Sequence, residues 1–241
     1  MLQKTRAIVL NTLKYGESQI IVDLLTEAHG RLSFIQQMPR GRRGSMRASL
    51  FQPLTILSVV YDHRPTRRLG RLKEAQIAFP FVSLPFDERK LSIALFLAEF
   101  TACATRSEQP DEQMYLFVEN SVRWLDACSG EFANFHIIYM LHFTRFVGFF
   151  PNVDDAQDAP YFDLRGGCFV RTVPTHPDFL APDEAGKIRL LMRFGYATMH
   201  LLALSRQERG RIVDVVLAYY RLHQPGFAEV KSLAVLKALF S

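Results

Sequence analysis

The hydrophobic pattern of the first 80 residues is typical of short β-strands. Runs rich in Ile, Val and Leu, each too short for a buried helix, alternate with turn residues over this part of the chain. The runs cover residues 6–11, 19–26, 31–36, 50–61 and 69–79. Five short strands cannot leave long open edges, so the pattern predicts a small closed barrel. An OB-fold is the first expectation, and an SH3-like barrel is the alternative.

Glycine and proline positions indicate how these strands are connected. The short connection 27–30 contains a glycine and suits a hairpin between the second and third strands. In residues 39–44, two glycines stand among three arginines, which predicts a mobile cationic loop. Pro53, inside the fourth run, predicts a bulge or an edge strand.

After Phe81 the period of the apolar positions changes from about 2 to about 3.6 residues, which predicts helices. One of them carries a stripe of aromatic residues between Phe132 and Phe150, and a capping box of Ser205 and Glu208 begins another. Residues 151–182 contain five prolines and are predicted to be irregular. The remaining helices are predicted over about residues 89–105, 110–128, 183–203, 206–223 and 227–239.

These patterns together predict an α+β protein with two domains. Residues 1–82 form the small β-barrel, for which an OB-fold is expected, and residues 83–241 form an all-α helical domain. The irregular residues at about 151–182 are an insertion in the helical domain.

Composition narrows the class of protein. The chain has 241 residues, of which 49% are hydrophobic and 22% are charged, so it has enough apolar surface to bury a core. Its longest apolar runs are shorter than a membrane span, and its first residues lack the layout of a signal peptide. Three widely spaced cysteines provide no disulfide framework. We therefore expect a soluble cytoplasmic protein without a membrane partner.

The net charge of +5 is unevenly distributed. Residues 1–82 hold 13 Lys and Arg against 5 Asp and Glu, whereas residues 83–241 hold 16 against 19. Nine basic residues and one acid, Asp62, fall between positions 40 and 73, and a face that binds a polyanion explains this concentration better than scattered solvated charge. The predicted nucleic-acid-binding residues are Arg40, Arg42, Arg43, Arg47, Arg64, Arg67, Arg68, Arg71 and Lys73.

The sequence carries little that indicates catalysis. It has no G-x-S-x-G, Walker-type, G-x-G-x-x-G or H-E-x-x-H motif. Loop acids could bind a hard cation and support a metal-dependent nuclease, although acids in solvent are the more ordinary interpretation. These acids are Asp154, Asp155, Asp158 and Asp163. We therefore expect a binding protein, not an enzyme, with no catalytic residues and no cofactor.

Short motifs in a fixed order along the chain resemble the bacterial RecO family of DNA repair proteins. In the first half they are the opening KTRAIVL from Lys4, the YGES motif from Tyr15, the run 21–26, Gly30, the basic stretch 41–47 and Pro53-Leu54. In the second half they are GFFP from Gly148, YFDLRGG from Tyr161, Leu222-His223 and VKSL from Val230.

The resemblance implies an accessory protein of recombinational repair. Members of this family bind single- and double-stranded DNA and anneal complementary strands. They interact with RecR and with the acidic C-terminal tail of single-stranded DNA-binding protein, and with RecR they help RecA to replace that protein on the strand. The resemblance therefore implies a cytoplasmic, nucleoid-associated protein. An RNA-binding OB protein is the alternative within the binding class.

One departure from the family concerns zinc. Many members carry a four-cysteine zinc site after the third long helix, but here residues 151–170 contain only Cys168. One thiolate cannot supply a tetrahedral four-cysteine site. We therefore expect no metal in this region, which we expect to be held by Phe162, Phe169 and neighbouring apolar contacts.

An acidic, apolar tail needs a hydrophobic groove with a basic rim. Six basic residues of the predicted helical domain are candidates for such a rim, although solvated charges at helix ends are the more ordinary interpretation. They are Lys187, Arg189, Arg193, Arg206, Arg209 and Arg211. Tyr15, Phe34, Phe51 and Tyr61 are candidates for stacking on bases, although core packing is expected for each.

Overall fold

The computed structural model describes residues 1–38, 48–63, 69–105, 109–153 and 159–239. Its N-terminal strands form one antiparallel sheet in the order β3-β2-β1-β4-β5. Their bounds are β1 Leu2–Tyr15, β2 Gln19–Thr26, β3 Gly30–Gln37, β4 Ile56–Asp62 and β5 Leu72–Ile77. The α+β class and the N-terminal OB-like barrel are thereby confirmed.

The barrel is incompletely closed. Among the described residues, the backbones of its two outer strands are joined by a parallel bridge between Phe34 of β3 and Gly70, just before β5. The Gly70 N–H donates to Ser33 O at 2.9 Å, and the Ile35 N–H donates to Gly70 O at 3.0 Å. A Cβ at Gly70 would lie 3.0 Å from the Phe34 ring, so this close approach requires glycine. The expectation of a fully closed barrel was wrong, and a five-stranded, partly open barrel is the OB arrangement.

The predicted strand at residues 50–61 was wrong in its first half. Residues 48–50 are helical, and β4 begins only at Ile56. Between them Pro53 has no N–H to donate, and Leu54 adopts a left-handed conformation with φ of 61°. The Leu54 N–H donates to Val9 O at 2.8 Å, which attaches this turn to β1. The chain therefore turns against the barrel before it enters the strand.

The described residues divide into two compact units. The barrel unit is Met1–Ala127 with Val230–Leu239, and the helical unit includes Cys128–Glu229. The barrel unit therefore holds the sheet together with helices α1 (Glu88–Ala104), α2 (Glu112–Ala127) and α6 (Leu233–Leu239). The predicted division into a barrel domain of residues 1–82 and a helical domain of residues 83–241 stays a prediction.

In the barrel unit, α1 is the buried helix that its apolar sequence predicts. It packs against β1 and α6, and its buried side chains include Ile93, Phe96 and Phe100. Asp87 caps its N-terminus by accepting from the N–H groups of Arg89 and Lys90. The core of the barrel is separate and is formed by apolar side chains from all five strands and from Phe51.

The helical unit contains α3 (Phe135–Phe143), α4 (Pro182–Arg193) and α5 (Arg206–His223). A 3₁₀ turn at Met199–Leu201 precedes α5, and the predicted capping box of Ser205 and Glu208 is confirmed. Three predicted helices are shorter than expected. The last one, α6, begins at Leu233 and not at about residue 227. The helix expected at 183–203 ends at Arg193, just before Gly195, and the aromatic stripe extends beyond α3 into turns around Gly148, whose φ is 84°.

The insertion predicted to be irregular carries a small sheet. Its strands are β6 (Tyr161–Asp163), β7 (Cys168–Val170) and β8 (Phe179–Leu180), in the order β7-β6-β8. The rings of Phe162 and Phe169 are buried and pack edge to face with centroids 5.0 Å apart. The structure therefore agrees with the expectation that these two side chains hold the region. Among the described residues, no helix is long and apolar enough to cross a membrane.

Candidate nucleic-acid interface

Seven of the nine predicted nucleic-acid-binding residues lie outside the described residues. Arg71 and Lys73 are described, and both are exposed. The other seven are Arg40, Arg42, Arg43, Arg47, Arg64, Arg67 and Arg68. These seven residues belong to two arginine-rich stretches, 39–47 and 64–68. The structure describes the residues on either side of each stretch.

Both stretches begin or end at strand β3. Residues 39–47 follow the end of β3, where the Met38 N–H donates to Ser18 O at 2.7 Å. Residues 64–68 precede Leu69 and Gly70, and Gly70 is bridged to Phe34 in the middle of β3. From Gly70 the chain runs parallel to β3, so that Gln36 Nε2 donates to Leu72 O at 3.0 Å. Arg71 and Lys73 therefore lie along the edge that joins these two attachment points.

A groove lies on this edge, between β3, β5 and the residues that precede Gln52. Its volume is about 290 Å³. Leu50, Phe51 and Leu72 supply its apolar lining, and its polar lining includes Lys73. The lining residues, which we call the β3–β5 groove, are Gln36, Gln37, Leu50, Phe51, Leu72, Lys73, Glu74, Ala75 and Gln76.

Two further barrel arginines are engaged in ion pairs within the barrel unit. Arg6 contacts the carboxylates of Glu27 and of Glu119, which is buried on α2. The hydrogen bond to Glu27 is the main reason that the pKa of Arg6 is raised. Arg31 pairs with Asp23 at 3.1 Å and donates to carbonyls at the C-terminal end of α1. These two charges hold helices to the barrel and are not available to phosphates.

The four aromatic candidates for base stacking separate clearly. Phe34, Phe51 and Tyr61 belong to the barrel core and are at most 6% exposed. Tyr15, at the end of β1, is 53% exposed. Among the described residues, Tyr15 is therefore the member of this set that can meet a base.

Two histidines stack beside the end of β4. The rings of His29 and His63 have centroids 3.9 Å apart, and His29 Nδ1 lies 2.8 Å from the Tyr61 hydroxyl. Burial, together with the charge that His63 would carry, lowers the pKa of His29 below its usual 6.5. At neutral pH the His29 ring is therefore uncharged and adds no positive charge to the interface.

The six predicted rim residues of the helical unit do not converge on one site. Lys187 and Arg211 line a groove between α4 and α5 whose apolar lining includes Leu180, Ile188 and Ile212. Arg189 instead lies over the Phe169 ring and donates to Ala159 O. Arg209 donates to Leu204 O. Arg193 and Arg206 are exposed and do not line this groove.

The rim of the α4–α5 groove carries both signs of charge. Lys187 lies 3.0 Å from Asp183 and 2.9 Å from Glu208, and Arg211 lies 2.7 Å from Glu184. These contacts raise the pKa of Lys187, principally through the bond to Glu208, and lower the pKa of Glu208 to about 2. An acidic ligand must therefore compete with resident carboxylates for both cations.

The acids considered for a hard cation are only partly described. Asp154, Asp155 and Asp158 lie outside the described residues. Asp163 accepts from the Arg165 N–H at 2.8 Å and lies 3.4 Å from His176 Nε2. Among the described residues, no three His, Cys, Asp or Glu side chains are grouped in a way that could hold a metal ion.

We expect the purified protein to contain no stoichiometric zinc. Only Cys168 provides a thiolate in this region, and the packing of Phe162 on Phe169 needs no metal. Metal analysis of the purified chain should find far less than one zinc per molecule, and a chelator should leave the melting temperature unchanged. One tightly held zinc per chain would contradict this prediction.

Comparisons with known proteins cover the whole chain. Family models described as "Recombination protein O N terminal" and "Recombination protein O C terminal" match residues 1–81 and 85–233. Over the full length of both chains, the protein is 47% identical to a DNA repair protein RecO of Phocaeicola vulgatus and 44% identical to one of Bacteroides fragilis. It is 32% identical to a DNA repair protein RecO of Flavobacterium psychrophilum over 99% of each chain. The similarity therefore extends across both the barrel and the helices.

Proposed function

Because the chain belongs to the RecO family of DNA repair proteins, we propose that it is a non-catalytic recombination mediator. In this proposal it binds single- and double-stranded DNA in the cytoplasm, at the nucleoid, and anneals complementary strands. With RecR it helps RecA to load on single strands coated with single-stranded DNA-binding protein.

The observation that carries this proposal is the concentration of basic residues between positions 40 and 73 of the sequence, whose two described members lie on one edge of an OB-like barrel. Residues 39–47 follow β3 in the sequence, residues 64–68 end two positions before Gly70, which is bridged to β3, and the described members Arg71 and Lys73 are exposed on this edge. Arginine binds phosphate oxygens in a planar, two-pronged geometry. Phosphate contacts fix the strand without reading its sequence, which a protein that acts on any broken chromosome requires.

Annealing follows from the same electrostatics. Two single strands repel each other through their phosphates, and a cationic surface that binds both lowers this repulsion. Contacts limited mainly to phosphates leave most base edges free to find their complements. The arginine-rich stretches would therefore bring two strands together without blocking pairing.

We propose that the tail of single-stranded DNA-binding protein binds the α4–α5 groove. The groove offers apolar side chains together with Lys187 and Arg211, which suit an acidic, apolar peptide. Because Glu184 and Glu208 already neutralise these cations, we expect weak binding that declines steeply with salt. Binding of RecR is a separate part of the proposal, and we assign no residues to the surface that contacts it.

Reversing the charges of Lys187 and Arg211 in the full chain should abolish most tail-peptide binding. We expect at least tenfold weaker affinity, measured by fluorescence anisotropy of a labelled peptide, because the acidic peptide would then meet a wholly acidic rim. Arg221 is exposed on α5, the helix that carries Arg211, and does not line the groove. Arg221→Glu is therefore the matched control and should bind the peptide normally. Undiminished affinity after reversing all six candidate residues would move the site elsewhere.

Annealing of labelled complementary strands by the purified chain tests the proposed function. The full chain should accelerate annealing above the spontaneous rate, and this acceleration should disappear at high salt. An equimolar RNA competitor that displaces the DNA completely would favour an RNA-binding protein instead. Cleavage of the DNA on addition of Mg²⁺ or Mn²⁺ would favour a nuclease and contradict the non-catalytic role.

A further inference from the structure

The polar side chains of the β3–β5 groove are exposed and have no partners among the described side chains and backbone groups. They belong to Gln37, Lys73, Glu74 and Gln76, whose backbones are part of the sheet. The α4–α5 groove differs, because its cations and carboxylates neutralise one another. The β3–β5 groove therefore offers donors and acceptors that a ligand can use without displacing an internal contact.

A β-bulge gives this groove its charged lining. Along the pairing of β4 with β5, Val60 lies opposite Glu74 and Tyr61 lies opposite Leu72, so Lys73 is an extra residue without a partner on β4. A bulge of this kind redirects the side chains beside it, and bulges are frequent next to functional sites. Lys73 and Glu74, although adjacent in the strand, consequently both line the groove.

The mixture of groups identifies the class of ligand. A site for phosphate alone would not include Glu74, because a carboxylate is an acceptor only and repels anions. An uncharged base can use all of these groups. The glutamine amides can bond its edge, Glu74 can accept from an exocyclic amino group, and the apolar atoms of Leu50 and Leu72 can contact its faces. A volume of about 290 Å³ is near the lower limit for a ligand site, which suits one base.

We propose that the β3–β5 groove binds one unstacked base of a single strand and prefers a base with an exocyclic amino group, such as cytosine, to thymine. This inference rests on the proposed DNA-binding function and adds a base-contacting site to it. Lys73, at the rim, holds a phosphate next to the bound base, and Arg71, which is exposed on the same edge, holds a neighbouring phosphate. Glu74 is the residue that discriminates between bases.

DNA oligonucleotides made of deoxycytidine or of thymidine, equal in length and charge, provide the direct test. Cytosine carries an amino donor where thymine carries a carbonyl acceptor, and the adjacent ring nitrogen is an acceptor in cytosine and a donor in thymine. Binding of the full chain, measured by anisotropy, should be about fivefold tighter for the cytidine strand, near the lower end for one base contact. The two strands should give the same salt slope, because their phosphates are identical.

Glu74→Gln should remove the preference, since an amide can donate to thymine as well as accept from cytosine. Both strands should bind this variant with affinities equal to within about twofold. Glu88→Gln, which removes an exposed carboxylate from α1 outside the groove, is the matched control and should keep the fivefold ratio. The double variant Gln37→Ala with Gln76→Ala should bind both single strands more weakly. Its affinity for duplex DNA should stay unchanged, because the bases of a duplex are already paired.

The possible failures are distinguishable. Equal affinities of the unmodified chain for both strands, with a normal salt slope, would overturn the base site and leave the DNA-binding proposal intact. A preference that survives Glu74→Gln would also overturn the base site. Failure to bind either strand would contradict the proposed function itself.

Discussion

Replacing Arg42, Arg43 and Arg47 together by alanine is expected to weaken single-strand binding about 100-fold at about 0.1 M salt. Each phosphate contact contributes about 0.7 to the log–log salt slope, so three lost contacts flatten the slope by about 2. When the salt is lowered tenfold, from 1 M to 0.1 M, a log–log slope that is smaller by 2 means a gain in affinity that is smaller by a factor of about 100. Four to six contacts in the unmodified chain give a slope of roughly −3 to −4. Annealing should slow in parallel, because the same charges screen the two strands.

The matched control removes the same charge from the helical unit. Arg193, Arg206 and Arg221 are exposed there, and their joint replacement by alanine should leave the salt slope near its original value. The melting temperature of both triple variants should barely change, since neither removes a side chain from a described core. If the Arg42, Arg43 and Arg47 variant keeps its slope and annealing rate, the DNA contacts lie elsewhere, and the stretch from Arg64 to Lys73 is the next to test.

Replacing Asp126 by alanine is expected to lower the free energy of unfolding by about 3–5 kcal/mol. This buried carboxylate on α2 accepts hydrogen bonds from the N–H groups of Val82, Ser83 and Leu84, which lead from the barrel into α1. Without it three backbone donors lose their acceptor, and the buried ammonium of Lys90 loses a nearby negative charge. Thermal unfolding should shift down by roughly 10 °C.

Asp111→Ala is the matched control for this variant. The Asp111 carboxylate accepts from the N–H of Met114 at the start of the same helix, and the loss of this one bond should cost about 1 kcal/mol. A loss no larger for Asp126→Ala than for Asp111→Ala would show that the segment 82–84 is held by other contacts.

The contribution of Asp126 should also depend on pH. Burial alone would raise the pKa of this carboxyl, but the hydrogen bonds from Leu84, Val82 and Ser83 outweigh it and lower the pKa below 3.8. A lowered native pKa means that the stabilisation is complete above the unfolded value and is lost as the pH falls through the folded value. The stability gap between the unmodified chain and Asp126→Asn should therefore be constant near neutrality and shrink below about pH 4.

Local signals made some elements predictable to the residue. The bounds of β2 agree with the prediction from sequence because turns with glycine flank that apolar run. The bounds of α5 agree because a capping box marks its start. The turn at residues 50–55 was missed because its apolar residues have strand propensity, whereas the left-handed Leu54 and its bond to Val9 depend on tertiary packing.

Charge patterns predict a basic surface but do not reveal which arginines are already paired within the protein. The pairing of Arg6 with Glu119 joins residues 113 positions apart, and no local pattern reveals it. For Lys187 the signal was present, because Asp183 lies four residues earlier on the same helix. The β3–β5 groove was missed because it depends on a bulge at Lys73, which only the pairing of β4 with β5 reveals.

Annealing of complementary strands already coated with single-stranded DNA-binding protein tests the central claim most directly. A generic cationic protein can anneal naked strands, but the coat blocks its access to the phosphates. We predict that the full chain accelerates annealing of coated strands and that the Arg42, Arg43 and Arg47 triple variant does so much more slowly. Annealing of coated strands at the same rate with and without the chain would contradict the account.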